Sequence, residues 1–307
     1  MSRDGRKGQR AATIDQSSLI GYNKFTPYLF STPALAVIGL ILAFPVLYGI
    51  YQSLLRPEVF GGPKEFVGLG NYAELLDDPA FWSALGRSFV FIAGCIVLGL
   101  SLGLFFAFAL NRAMNRLRFL RAVTILPYIV SSVAAAVMFR ILFNQDFGPP
   151  NRVLEFIGVD GPAWLVDPRL AMVVVIVAQV WSDLPLSILV LLGGLQTIDA
   201  AHMDAALVDG ASGWTRARYI TLPLIAPQIV LSLVWLSYTC LTALGVILAL
   251  TGGGPGTATQ TLPMEMYTSA FRRLDMNQAL AIANIILLLN AVLALLYIAV
   301  GRRYRTE

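Results

Sequence analysis

The chain has 307 residues, of which 57% are hydrophobic and 13% are charged. Soluble globular domains carry charge on roughly 25% of their residues, so this composition excludes a soluble domain and predicts a membrane protein. The net charge of +4 is explained by Lys and Arg beside the apolar runs, and it therefore implies no nucleic-acid partner.

Six apolar runs are long enough to cross a bilayer as helices, since a hydrocarbon core of about 30 Å needs about 20 helical residues. A transmembrane β-barrel would instead show short segments of alternating polarity. The sequence therefore predicts an all-α integral membrane fold with six transmembrane helices. In chain order these are expected at residues 28–54, 88–110, 122–143, 170–193, 224–250 and 276–300.

The distribution of basic residues predicts the orientation of these helices. If the amino terminus is cytoplasmic, fourteen of the 22 Lys and Arg residues fall in cytoplasmic segments, where such residues collect. We therefore expect both termini in the cytoplasm. Residues 1–27 are polar and lack an apolar period, which indicates a flexible cytoplasmic tail, and residues 28–307 form one membrane domain.

The predicted outer loop before the second apolar run contains the stretch "NYAELLDDPAFWSAL". Phe81 and Trp82 stand where aromatic side chains settle at a membrane surface, so the stretch predicts a short interfacial helix.

The fourth run contains one intramembrane carboxylate, Asp183. It lies near mid-membrane, where insertion of a carboxylate costs about 2.5 to 3.5 kcal/mol, so it is expected to face a wet cavity or a partner. Gln179 and Trp181 precede it and offer a hydrogen bond and an aromatic surface, and Pro185 favours a local kink. The alternative is that Asp183 only pairs with a donor on a neighbouring helix.

The loop between the fourth and fifth runs predicts two short helices joined by a tight turn. Asp199 is expected to cap a helix over residues 200–208, and Gly210 is placed to end it. Ser212 is expected to cap a second helix that Pro223 closes.

The first of these helices places Met203, Ala206 and Leu207 on one face, because they are spaced three and four residues apart, while Asp204 points elsewhere. An apolar stripe of this kind fits the groove of another protein. A linker whose small residues pack under the bundle is the alternative, and the spacing alone does not decide between them.

The segment "DAALVDGA", followed by "WTRARYITLPL", resembles the cytoplasmic signature loop of binding-protein-dependent ABC importer permeases, which reads E-A-A-x-x-D-G-A and continues to a distal L-P. Asp204 stands where the family has Glu. The resemblance implies that the loop at residues 199–223 couples the chain to an ATP-binding subunit. The implied coupling residues are Met203, Asp204, Ala205, Ala206, Leu207, Asp209, Gly210, Ala211 and Trp214.

Other stretches, such as "LTGGGPGTATQTLPMEMYTSAF", are similar to carbohydrate importers of the maltose, glycerol-3-phosphate and trehalose type. The resemblance implies a permease of the bacterial plasma membrane for a disaccharide, oligosaccharide or polyol. Its implied partners are a second homologous permease subunit, two ATP-binding subunits and an extracytoplasmic substrate-binding protein. The chain itself is expected to bind no cofactor, with ATP and Mg²⁺ held by the partner subunits.

The glycine-rich loop Gly252, Gly253, Gly254 and Pro255 lacks the Lys-Ser/Thr ending of a phosphate-binding loop and lies on the predicted outer side. The sequence therefore predicts no ATPase site in this chain. The loop is either a flexible turn or, as the resemblance implies, part of the outer gate near the binding protein.

The fifth and sixth runs add further candidates for the substrate cavity. Tyr238, Thr239 and Thr242 lie in the fifth run, through which the resemblance implies sugar binding, although hydrogen bonding between helices explains Thr equally well. In the last run, Asn284 and Asn290 cannot share one helical face tightly, so one of them is expected to reach the cavity.

Two other classes of protein remain open beside an importer subunit. An ion-coupled secondary transporter would place several ionisable residues in its spans, whereas this chain has Asp183 and the peripheral Arg140. A membrane enzyme would need a clustered nucleophile, base or metal set, and His202, Cys95 and Cys240 form none. An ABC permease for a solute other than sugar is a third alternative.

Overall fold

The computed structural model describes residues 26–56, 65–112 and 118–303. The tail predicted at residues 1–27 lies almost wholly outside these ranges. The described elements are helical, apart from one isolated antiparallel bridge between Leu55 and Phe66. The chain divides into two units, Met1–Gly49 and Ile50–Glu307.

The first helical stretch consists of α1 (Thr26–Ile38), a π-helical segment (Gly39–Ala43) and α2 (Phe44–Ser53). It forms a continuous apolar helix from Phe30 to Ser53, long enough to cross a membrane. The helix predicted at residues 28–54 is therefore confirmed.

The remaining α-helices all belong to the second unit. In chain order they are α3 (Gly70–Asp77), α4 (Pro79–Arg112), α5 (Arg118–Ile129), α6 (Ser132–Leu142), α7 (Pro149–Phe156), α8 (Pro168–Gln196), α9 (Ala200–Val208), α10 (Gly213–Arg216), α11 (Leu222–Leu224), α12 (Ala226–Leu241), α13 (Gly245–Leu250), α14 (Leu262–Tyr267) and α15 (Met276–Arg303). Two further π-helical segments lie at Ala217–Thr221 and Thr268–Arg272.

Among the described residues, four helical stretches are individually long and apolar enough to span a membrane: Phe30–Ser53, α4, α8 and α15. Two bent pairs pass the same test together. α5 and α6 meet at 105°, and the stretch Gly213–Leu224 meets α12 at 70°. The described chain therefore holds up to six spans if each bent pair counts as one.

The third and fifth spans are not the continuous helices predicted at residues 122–143 and 224–250. Ser131 adopts an extended conformation between α5 and α6, so the helix is interrupted there. In the fifth span, α12 ends at Leu241, and α13 begins at Gly245 after a short break. At the end of α12, Oγ1 of Thr242 donates a hydrogen bond to the backbone carbonyl of Tyr238 at 2.8 Å. Such bonds from a side chain to the backbone compete with the regular hydrogen bonds of a helix.

The prediction of a single interfacial helix before the second span is also wrong. The chain breaks at Asp78, whose Oδ1 accepts a hydrogen bond from the backbone of Ala80 at 2.8 Å, and Pro79 starts α4. Proline favours the first turn of a helix because its missing N–H would have no partner there. Trp82 therefore belongs to the spanning helix, and its Nε1 donates to the carbonyl of Leu76 at 2.7 Å.

The core of the second unit is formed where α4 packs against α8 and α12. α4 presents glycines to its neighbours: a Cβ built on Gly99 would lie 3.2 Å from Cδ2 of Leu236, and one built on Gly103 would lie 3.2 Å from Cδ1 of Leu191. Such short distances leave little room for a methyl group. The three helices therefore approach one another closely, as small residues at helix interfaces allow.

Candidate functional site

The first helix of the cytoplasmic loop forms where the sequence predicts it. Oδ1 of Asp199 accepts a hydrogen bond from the backbone N–H of Ala201 at 3.0 Å and so caps α9 (Ala200–Val208). This cap satisfies one of the first amide groups, which have no partner inside the helix.

The same helix ends in a left-handed glycine turn. Gly210 has φ +73°, and the N–H of Ala211 donates to the carbonyl of Ala206 at 2.9 Å. The N–H of Gly210 donates to the carbonyl of Leu207 at 3.1 Å, which completes the two bonds of a Schellman motif. The predicted helix stop is confirmed.

The second helix of the loop is longer than predicted. Oγ of Ser212 accepts from the N–H of Thr215 at 3.2 Å and caps α10, as expected. The helix then continues through the π-helical segment and α11, so Pro223 lies inside a helical stretch rather than closing it. The 70° bend follows at Ile225, which is fully buried.

The apolar stripe predicted on α9 is divided between two directions. Ala206 is buried, and half-buried Met203 lines a cavity together with Phe108 and Leu195 of the bundle. In contrast, Leu207 is 54% exposed and Val208 is 88% exposed. Met203 and Ala206 therefore hold α9 to its own chain, and the prediction that they share one outward face with Leu207 is wrong.

The exposed side of the loop carries both charge and apolar surface. Its members, called the coupling face below, are Asp204, Ala205, Leu207, Val208 and Trp214. Among the described residues, Asp204 forms no ion pair. Asp209 and Gly210 are also exposed, and Ala211 is half-buried. An acid, small residues and large apolar side chains are therefore all available to a partner protein.

In the fourth span, Gln179 and Asp183 bind each other. Nε2 of Gln179 donates to Oδ2 of Asp183 at 2.8 Å, and both side chains are buried. Thr239 of α12 lies beside the carboxylate. The pair is therefore shielded from solvent at the contact between α8 and α12. Pro185 lies within α8, which continues through it without a break.

Trp181 points to a different side of α8 from the Gln179–Asp183 pair. Its ring is half-buried and packs edge-on against Phe139 at 5.8 Å between centroids. It also lines a cavity of about 210 Å³ with Phe106 and Pro127. The structure therefore does not bring Trp181 together with Asp183.

An exposed cluster of aromatic side chains lies on α5 and α12. The ring of Trp235 is 6.5 Å from that of Tyr238 and 6.4 Å from that of Tyr128. Tyr238 and Tyr128 are about half-exposed, and Thr242 is exposed beside them along the chain. We call these four residues, Tyr128, Trp235, Tyr238 and Thr242, the aromatic face.

Trp235 and Tyr128 were not predicted as site residues. Trp235 could have been found from its spacing, since it lies three residues before Tyr238 and seven before Thr242 on one helical face. Tyr128 could not, because its contact with Trp235 joins α5 to α12, which are far apart in the sequence. Nε1 of Trp235 is buried and has no hydrogen-bond partner among the described atoms. This donor can reach a ligand only if the groups that cover it move.

The asparagines of the last span are already engaged. Nδ2 of Asn284 donates to Oγ of Ser53 at 3.0 Å and to the hydroxyl of Tyr72 at 2.9 Å. Nδ2 of Asn290 donates to the carbonyl of Ile286 in its own helix at 3.1 Å. The amide of Asn284 thus ties α15 to α3, and the expectation that one of the two asparagines reaches the cavity stays a prediction.

The glycine-rich loop is folded back and hydrogen-bonded. Gly252 and Gly253 have φ of +63° and +93°, a region that favours glycine. Oγ1 of Thr259 donates to the carbonyl of Gly254 at 2.8 Å, next to Pro255. The loop is also tied to α4, since Nη2 of Arg87 donates to Oγ1 of Thr257 at 2.9 Å.

Groups of side chains able to hold a metal ion are not found in the described part of the chain. Cys95 and Cys240 are buried free thiols in the core.

A bundle of long apolar helices with an exposed helical loop at one end defines an integral membrane transport component. Residues 96–306 match the family model described as "Binding-protein-dependent transport system inner membrane component". The chain belongs to this family of inner membrane transport proteins, and the family predicted from the loop is confirmed.

Individual relatives cover nearly the whole chain. The trehalose/maltose transport system permease protein MalF of Thermococcus litoralis is 33% identical over 275 residues, which are 90% of this chain and 93% of the relative. The sn-glycerol-3-phosphate transport system permease protein UgpA of Agrobacterium fabrum is 31% identical over 275 residues, which are 89% of this chain and 93% of the relative.

A solved structure shares the fold. In the crystal structure of a bacterial alginate ABC transporter in complex with an alginate pentasaccharide-bound periplasmic protein, one chain superposes with a TM-score of 0.77. The match covers 90% of this chain and 94% of the other at 20% identity. The all-α ABC permease fold predicted from the sequence is therefore confirmed.

Proposed function

We propose that this chain is the membrane-spanning subunit of an ATP-driven importer for a disaccharide, oligosaccharide or polyol. The observation that carries the proposal is the near full-length relationship to permeases whose names specify trehalose/maltose and sn-glycerol-3-phosphate. The charge distribution supports an orientation with both termini in the cytoplasm, as in the predicted six-span arrangement.

The aromatic face is the proposed contact for substrate. Sugars present flat apolar faces and many hydroxyl groups, and sites for small molecules combine aromatic walls with a few placed polar groups. Tyr238 and Tyr128 offer exposed rings, and the buried, unpartnered N–H of Trp235 would become a donor once the groups that cover it move. A second, homologous permease subunit would close a path against this exposed surface.

The buried pair Gln179 and Asp183 lies behind the aromatic face, next to Thr239. We propose that these three side chains reach substrate only after the contact between α8 and α12 rearranges. Until then the amide of Gln179 supplies the buried carboxylate of Asp183 with a hydrogen-bond donor, which a buried polar group needs.

The coupling face is the proposed docking surface for ATP-binding subunits, of which an importer with two permease subunits would hold two. Asp204 is free to meet a basic residue of the partner, while Leu207 and Val208 supply apolar contact. The chain itself would bind no cofactor, with ATP and Mg²⁺ held by the partners.

The bend at Ile225 supports a mechanical link between the two faces. The stretch Gly213–Leu224 is helical and turns by 70° into α12, which carries Trp235 and Tyr238. Movement of the loop on ATP binding would therefore tilt the aromatic face and expose it alternately to the two sides of the membrane. The glycine loop from Gly252 to Pro255 would lie at the outer gate, where a substrate-binding protein delivers sugar.

Co-purification tests the partnership. We would tag the chain, solubilise native membranes gently and identify the bound proteins by mass spectrometry. Recovery of an ATP-binding subunit and a second permease is the expected result. Val208→Arg should remove the ATP-binding subunit, because it places a charge in the coupling face. Phe156→Arg is the matched control, since Phe156 is equally apolar and 92% exposed but lies on α7, away from the loop.

Uptake of labelled sugars and polyols into membrane vesicles tests the substrate class. Tyr238→Ala should raise the KM for the transported sugar by roughly tenfold through the loss of a stacking ring, whereas Phe89→Ala, at an exposed ring on α4, should not. Sugar uptake that persists without any ATP-binding subunit would favour an ion-coupled secondary transporter. ATP-dependent uptake of a different solute would leave the partnership intact and overturn the sugar assignment.

A further inference from the structure

A cavity of about 340 Å³ lies where the end of α4 meets the cytoplasmic loop. Its polar lining comes from Asn111 and Arg112 at the end of α4 and from Arg216 and Thr221 in the second helix of the loop. Two arginines, Arg112 and Arg216, therefore border one half-open cavity next to α9. Nothing in the transport mechanism above uses them.

The two arginines lack a counter-charge within the described part of the chain. The ten residues that line the cavity include no Asp or Glu, and neither Arg112 nor Arg216 takes part in the ion pairs found among the described residues. Like charges that face one cavity repel each other, so a bound anion would stabilise the arrangement. Guanidinium groups bind phosphate with paired hydrogen bonds, and the side-chain amide of Asn111 adds a further donor.

An apolar cavity of about 370 Å³ adjoins the first. It is lined by Phe105, Ala109 and Trp214, and it shares Phe108, Arg112 and Ala217 with the polar cavity. Arg112 thus lies at the junction of a basic compartment and an apolar one. A free phosphate would fill only the basic compartment, whereas an amphipathic molecule with a phosphate and a hydrocarbon chain would fill both.

The position of the two cavities agrees with a lipid. Arg112 is the last residue of α4, an apolar helix long enough to span the membrane, so it lies at the boundary between hydrocarbon and headgroups. The apolar cavity beside Arg112 also contacts Phe105 and Ala109, which precede Arg112 on the same helix. On the proposed orientation this is the cytoplasmic leaflet, where basic pockets between helices bind anionic headgroups.

We propose that Arg112 and Arg216 bind the phosphate of an anionic phospholipid, whose acyl chain lies along Phe105, Phe108 and Ala109. The lipid would join the end of α4 to the second helix of the loop, because each contributes one arginine. Its removal would loosen the loop from the bundle. Anionic lipid would then be required for full coupling of ATP hydrolysis to transport.

Native mass spectrometry of the full-length chain in detergent tests the site. The protein would be incubated with phosphatidylglycerol or phosphatidylcholine, and retained lipid would be counted. We expect preferential retention of phosphatidylglycerol and roughly a tenfold loss of that preference in the double variant Arg112→Gln, Arg216→Gln. Arg218→Gln is the control, because Arg218 is an exposed arginine two residues further on that lines neither cavity.

Two further arms separate a lipid from a small anion. Ala109→Trp should fill the apolar cavity and reduce lipid retention while both arginines remain. Millimolar inorganic phosphate should displace little lipid, since it lacks the apolar contact. The proposal is overturned if the double variant, shown by its melting temperature to be folded, retains phosphatidylglycerol as the wild type does. It is equally overturned if phosphate displaces the lipid fully. These readouts do not depend on transport, so they stand or fall separately from the sugar assignment.

Discussion

Asn71 and Asn277 donate to the same acceptor, the carbonyl oxygen of Leu55, at 2.8 Å and 2.7 Å from their Nδ2 atoms. Each amide also donates to a second carbonyl, that of Ser53 for Asn71 and that of Gln52 for Asn277. The last carbonyl groups of a helix have no partner within it. Side chains of α3 and α15 therefore cap the chain at the end of α2.

The first prediction follows from this cap. Asn277→Leu keeps the side-chain volume but leaves buried carbonyl groups with fewer donors, so it should lower the free energy of unfolding by about 1 to 3 kcal/mol. Thermal unfolding in detergent measures the change. Asn290→Leu is the control on the same helix, because Asn290 donates only to a carbonyl of its own helix. Equal losses of stability in the two variants would contradict the capping role.

A second prediction uses two adjacent glycines of α8. A Cβ on Gly194 would lie 2.7 Å from Cγ of Gln228, whereas a Cβ on Gly193 meets nothing within 4 Å. Gly194→Ala should therefore destabilise the chain by about 1 to 3 kcal/mol through overpacking. Gly193→Ala should stabilise it by up to about 1 kcal/mol, because alanine is the better helix former. Melting temperatures that shift in the same direction would show that the close approach of α8 and α12 is not as described.

The third prediction concerns the turn at Gly210. Nothing lies within 4 Å of a Cβ built there, so substitutions act through the backbone alone. Gly210→Val should strain the left-handed conformation by roughly 1 to 2 kcal/mol, whereas Gly210→Asn should be tolerated, because asparagine visits this region more readily. The measurement is the amount of substrate transported per ATP hydrolysed in the assembled importer. That ratio should fall only for valine, and a fall of equal size for asparagine would speak against the turn as its cause.

A fourth prediction compares the two ends of a buried ion pair. Glu265 is almost fully buried and accepts from Nη2 of Arg273 and Nε2 of Gln260, while the Arg273 side chain is 41% exposed. Arg273→Met should destabilise the protein more than Glu265→Gln, since it leaves a buried carboxylate without its cation, whereas the freed arginine can turn to water.

The double variant Glu265→Gln, Arg273→Met completes a double-mutant cycle, which measures how strongly the two side chains depend on each other. It should be more stable than Arg273→Met alone, because no unpaired charge remains. Thermal unfolding of the four proteins measures the coupling. Strictly additive losses would mean that the two side chains do not depend on each other.

The features that sequence predicted correctly depend on local chemistry. Asp199, Gly210 and Ser212 act on residues within five positions along the chain, so the cap, the stop and the second cap follow from residue type. The spans follow from length and apolar composition. The family followed from the spacing of residues 204–223 in the loop.

The features that sequence reasoning missed depend on distant contacts. Whether Met203 faces the bundle or a partner depends on Phe108 and Leu195, which belong to other helices. Tyr128 of α5 meets Trp235 of α12, and no pattern within either helix predicts that contact. The hydrogen bonds of Asn284 were missed because its partners, from α2 and α3, are distant in the sequence.

The glycines of α4 limit how this subunit can change shape. Because side chains of α12 and α8 lie 3.2 Å from the positions that a Cβ would take at Gly99 and Gly103, α4 is closely packed against both helices. A push delivered through the bend at Ile225 therefore reaches α4 and α8 as well as α12. The passage for substrate would then open at the seam between the two permease subunits, and its width would depend on how far the subunits separate as well as on how the contact between α8 and α12 rearranges.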